Sequence, residues 1–160
     1  MRKGMFLAAA LALMVLGAAT QGIAQTAPVL EKVWASPELN YGDLLKIYIK
    51  ASDKEGDMRF VLVSAGQKKN TIGATMIRIK KPARKDLNGY IWWDSSKAVS
   101  KDVSGVAEIS IEDWKGNESK TVTVPVKLVA QGAKVEPKPA EFQENEIGPI
   151  MIETTRGGGQ

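Results

Sequence analysis

The chain has 160 residues, 25% of them charged and 44% apolar, which suits one globular domain rather than a disordered chain. It has neither Cys nor His, so disulfides, thiol nucleophiles, imidazole bases and the commonest zinc and haem ligands are excluded. A formal net charge of +4 is ordinary and lacks the density of a nucleic-acid binder.

Residues 1–24 read as a signal peptide. Arg2 and Lys3 make a basic start, and the apolar run from Phe6 to Ala19 is too short to span a bilayer. Gly22 and Ala24 place small residues before a cut at Gln25. No transmembrane segment remains after that cut. Export without any Cys favours a bacterial periplasm or cell surface.

Residues 25–130 read as the folded domain. Residues 26–37 form an edge strand bounded by Pro28 and Pro37, because proline is tolerated at strand ends and edges. Residues 38–43 are a turn. In 44–51, Leu45, Ile47, Ile49 and Ala51 alternate with Lys46, Tyr48 and Lys50, so one face meets a core and the other meets water. Residues 52–57 are a polar loop. Residues 58–64 are apolar on both faces, which suits a central strand. Residues 75–80 and 89–94 are further strands, separated by a basic loop. Residues 105–128 read as a hairpin: Ala107, Ile109 and Ile111 alternate with polar residues, as do Val122, Val124, Val126 and Leu128. Asp113, Gly116 and Asn117 supply its turn chemistry.

The count is seven strands and no helix. The expected fold is therefore all-β: a single seven-stranded immunoglobulin-like antiparallel sandwich. Residues 131–160 are rich in Pro, Glu and Gly and read as a flexible tail. The apolar island 147–152 interrupts it. Ile147, Ile150, Met151 and Ile152 pack on their own domain or dock on a partner's sheet edge, with pairing that starts after Pro149.

The segment 106–126, with Asp113, Gly116 and Asn117 followed by Val122, Val124 and Val126, resembles the last hairpin of bacterial Ig-like, fibronectin-III-like and hyalin-repeat modules. The loop 52–57 is similar to a strand connection of such modules. The resemblance implies an adhesion, spacer or binding unit of an exported protein.

Three clusters carry candidate chemistry. Asp53, Glu55 and Asp57, brought beside Asp113 and Asn117, offer the oxygen ligands that Ca²⁺ requires; turn capping is their other use. Tyr48, Tyr90 and Trp92, with Trp114, form a candidate platform for a sugar or a protein partner, unless they are spent on the core. Lys80, Lys81, Arg84 and Lys85 make a basic loop suited to an anionic polysaccharide or lipid headgroup, or merely to solvent. No catalytic arrangement of nucleophile, base and orienting partner is legible. The expected role is a non-enzymatic exported binding or structural module of the bacterial envelope, an accessory subunit engaging a protein partner. The alternative is a calcium- or carbohydrate-binding module.

Overall fold

The computed structural model describes residues 26–67, 70–98 and 102–152; the expected signal peptide lies outside these. The strands are β1 (Val29–Trp34), β2 (Glu38–Asn40), β3 (Leu44–Ser52), β4 (Met58–Gln67), β5 (Asn70–Arg78), β6 (Asp86–Asp94), β7 (Val103–Asp113), β8 (Val122–Val129) and β9 (Glu146–Pro149). They form two sheets, β1-β3-β6-β9 and β2-β8-β7-β4-β5. Three strands of the first and four of the second have the order of an immunoglobulin-like sandwich. Between the sheets, Ile47, Ile49 and Ile91 meet Val61, Ile109, Ile111 and Leu128, all at 2% exposure or less. These are the inward residues of the alternating runs, so the period-two pattern and the observed faces agree.

The strand count is nine among the described residues, not seven, and the sandwich is not wholly antiparallel. Both added strands pair in parallel: β2 along β8 and β9 along β6. Each is short, with three and four residues, too few to show a period. Their pairing is a tertiary event. Leu39 of β2 is buried, so the expected turn 38–43 also contributes to the core.

The tail is the larger correction. Residues expected to be a solvated extension instead run along the sandwich. The Ala133 amide donates to Asn40 Oδ1 at 2.9 Å, and the Glu136 amide donates to Ser36 Oγ at 3.0 Å. The chain then crosses the outer face of the first sheet. There the Gln143 amide donates to Asn88 Oδ1 at 3.0 Å, and Phe142 is buried with its ring 5.9 Å from that of Tyr48. The Tyr90 amide donates to the Asn145 carbonyl at 2.8 Å, and the Ile150 amide to the Trp92 carbonyl at 2.7 Å. Pairing therefore straddles Pro149 rather than starting after it. Proline removes only its own donor, and its neighbours still bond.

The island docks on its own domain. Ile150 and Ile152 enter the space between the sheets, Ile147 is half-buried and Met151 faces solvent. Ile152 lies against Gly73 of β5, while Met151 donates its amide to Thr75 Oγ1 at 3.1 Å. The segment after β9 thus passes from one sheet to the other and closes that side of the sandwich. The folded unit consequently extends past residue 130. Gly89 marks how closely the tail approaches: a Cβ there would overlap the Asn145 carbonyl oxygen and crowd Ile147.

Two outcomes are expected. Deleting 147–160 removes the burial of Ile150 and Ile152, worth about 4 kcal/mol before ordering costs, and lowers Tm by about 10 °C in a thermal melt. Gly89→Ala displaces the tail backbone, costing about 2 kcal/mol, and amide exchange measured across 140–152 rises far more than exchange in β7.

Candidate functional site

The acidic loops do meet at one end of the sandwich: the Trp114 amide donates to the Asp57 carbonyl at 3.2 Å. The carboxylates of Asp53 and Asp113 are occupied in turn capping. Buried Asp53 accepts from the Asp57 amide at 2.7 Å and the Glu55 amide at 3.4 Å. Asp113, fully buried, accepts from the amides of Lys115 and Asn117, both at 2.8 Å, and from Asn117 Nδ2 at 2.7 Å. Burial pushes the Asp113 carboxyl up, but the bonds from Asn117, Lys115 and Gly116 outweigh it and hold the group below its ordinary value. Glu55 turns away to the Thr26 hydroxyl, 3.2 Å off. Asn117 thus serves Asp113 as a donor. Among the described residues no group of three acidic, His or Cys side chains is gathered for a metal ion.

The aromatic candidates divide. Tyr48 is buried under the tail, its ring 5.5 Å from Tyr90 and 5.8 Å from Trp34. Its hydroxyl donates to Glu144 at 2.7 Å, and Lys46 bonds the same carboxylate at 3.0 Å. Burial, with the bond to Glu144, pushes the Tyr48 phenol up to about 12. Those two bonds, from Tyr48 and then Lys46, hold Glu144 below its ordinary value of 4.5. Trp92 donates its indole N–H to Glu146 at 3.0 Å. The face that alternation assigned to water is therefore the seat of the chain's own tail, and Tyr48, Tyr90 and Trp92 hold it. Trp93 points the other way, packing on the core with Ile91 beside it.

Trp114 is the exception. It is 43% exposed and three guanidinium groups surround its ring: Arg59 at 4.6 Å, Arg84 at 5.2 Å and Arg78 at 5.6 Å from the centroid. Arg59 also covers the Phe60 ring at 4.6 Å. Local structure explains the gathering. Phe60 and Arg78 are paired across β4 and β5, and the ladder shifts at Arg59, which aims that side chain to the end of the sheet. Arg84 follows the single 3-10 turn Lys81–Ala83, and its carbonyl accepts from the Met58 amide. Trp114 leaves β7 on the turn that Asp113 caps, with Gly116 at φ +82° where a side chain would be strained. Glu112 lies 3.9 Å from Arg59.

Of the basic loop, Arg84 belongs to this cluster, while Lys80, Lys81 and Lys85 stand exposed beside it. Arg59 and Arg78 escaped the sequence reading. The available signal was their strand position: Arg78 shares the outer face with Phe60. Nothing in composition placed them beside Trp114, some 36 to 55 residues further on.

No family model matches the chain, and no curated protein matches it. Among solved structures, it is similar to the PKD domain of an M14-like peptidase from Thermoplasmatales archaeon SCGC AB-540-F20. That likeness has 18% identity and a TM-score of 0.41, over 66% of this chain and 99% of that domain. Among the described residues no helix is long and apolar enough to cross a membrane.

Glu144 sets a pH dependence. A carboxyl held below its unfolded value contributes stability that is present above that value and lost as pH falls through the folded one. The thermal-melt difference between the unaltered chain and Glu144→Ala is expected to be full at pH 7 and to vanish well below pH 4.5, the ordinary value of the group. Asp113→Ala strands three donors and costs about 3 kcal/mol in chemical denaturation.

Proposed function

We propose that the chain is a non-enzymatic, exported binding module of the bacterial cell envelope. The signal-like character of 1–24 supports export. The absence of His and Cys supports a role without acid–base or thiol chemistry, and the carboxylates with lowered values, Glu38, Asp113, Glu141 and Glu144, are each tied to a lysine, to the tail backbone or to turn amides. One ground for expecting a protein partner was a free docking peptide. With Ile150 and Ile152 between the chain's own sheets, that peptide is spent.

The observation that carries the reading is the exposed indole of Trp114 ringed by Arg59, Arg78 and Arg84. Guanidinium groups gathered around an exposed aromatic ring present cationic donors and a π face together, a combination that suits an anionic ligand. Carbohydrate recognition, the alternative class, gains from the same patch, since exposed Trp and Arg are the side chains binding surfaces favour. In cells, the tagged full chain is expected in the envelope fraction, retained on washed envelope material, and Trp114→Ala is expected to lose most of that retention while melting within a few degrees of the unaltered protein. Equal retention by Trp114→Ala overturns the reading.

A further inference from the structure

We infer that the Trp114 face takes an acidic polysaccharide; the inference rests on the reading of the chain as an envelope-binding module. Charge comes first. Arg59, Arg78 and Arg84 lie within 5.6 Å of one ring centroid, Glu112 lies 3.9 Å from Arg59, and exposed Lys80, Lys81 and Lys85 extend the positive field along the adjoining loop. Guanidinium groups stacked on an indole keep their N–H edges outward, and these edges match a carboxylate or sulfate in two-point fashion.

Shape comes second. The patch is built on the outer face of a sheet, where Phe60, Arg78 and exposed Met76 are neighbours in the β4–β5 ladder. Small anions are held in concave sites, whereas a flat strip with spaced cations suits a linear chain that binds at several points. Sugar rings carry apolar C–H faces besides their charges, so one chain satisfies both the aromatic and the guanidinium groups. A lipid surface fits less well. Interfacial binding needs apolar groups that project past the charged ones, and here the guanidiniums stand around the Trp114 ring. An acidic peptide would dock most readily as an added strand, but Met151 and Ile152 already lie against Thr75 and Gly73 of the edge strand β5.

The test is titration calorimetry of the exported form of the chain with polygalacturonate, beside uncharged dextran, a polyglutamate peptide and phosphatidylglycerol vesicles. Binding to polygalacturonate and not to dextran is expected, weakening steeply between 50 and 200 mM salt, on the order of tenfold for a few ion pairs released. Arg78→Gln combined with Arg84→Gln should raise Kd at least tenfold, Trp114→Ala similarly, and Lys127→Gln at the far side of the sheet should leave it unchanged. Circular dichroism melts of each variant separate lost binding from lost folding. Arg78→Lys with Arg84→Lys keeps the charge and should recover only part of the affinity. No polygalacturonate binding, binding indifferent to these substitutions, or binding confined to the peptide or the vesicles overturns the assignment. If envelope retention still depends on Trp114 in that case, the binding-module reading stands and only the ligand class falls; if it does not, both fall.

Discussion

The passage of residues 133–152 over the first sheet and into the gap between the sheets is the constraint on which the rest depends. A two-sheet sandwich leaves open sides wherever its outer strands end, and unpaired strand edges and exposed core residues are hazards for any β protein. Here β9 hydrogen-bonds to β6, and the chain beyond it lowers Ile150 and Ile152 between the layers to reach β5. In an immunoglobulin-like order, a strand between the two sheets usually sits beside the equivalent of β6. This chain joins β5 to β6 by one short 3-10 turn, and the C-terminal segment fills the vacant edge in parallel.

That arrangement decides what the surface can offer. The outer face of the first sheet, with Tyr48, Tyr90 and Trp92, is already engaged by Phe142, Glu144 and Glu146. The anchoring is polar as well as apolar. Tyr48, Lys46 and Glu144 share bonds at 2.7 and 3.0 Å, and Lys32 reaches Glu141 at 3.1 Å. Exposed ion pairs are worth little singly. Their work here is to set the register of a segment whose binding energy comes from Phe142, Ile150 and Ile152.

The end of the sandwich formed by the 52–57 and 113–117 turns has the reverse character. Asp53 and Asp113 are buried and saturated by amide donors, so the loops they cap are rigid, and Trp114 is held out on one of them. That turn keeps a large indole 43% exposed among three arginines. Two of the acids read as candidate metal ligands, Asp53 and Asp113, accept the amide hydrogens that fix these turns.

Alternation determined the inward faces of 44–51, 105–113 and 122–128, and together with proline placement and apolar content it gave seven strands and the sandwich class, because a period of two is a local consequence of backbone geometry. The turn at Asp113–Asn117 was legible for the same reason: Asp, Gly and Asn act on their own backbone. What tertiary structure decided was every pairing between distant segments. Tyr48 looked like a solvent-facing residue because nothing in strand 44–52 reveals that Phe142 will cover it. Gly89 looked like an ordinary strand glycine and Gly73 like part of a polar connection, although the tail packs where their side chains would be. Strands β2 and β9 have no period of their own, and parallel pairing needs a partner brought from far along the chain. Arg59, Arg78, Arg84 and Trp114 likewise come from four separate elements and meet only because β4 lies between β5 and β7. The physical division is one of range: pattern reports the direction in which each side chain points, and only the packed chain decides what it finds there.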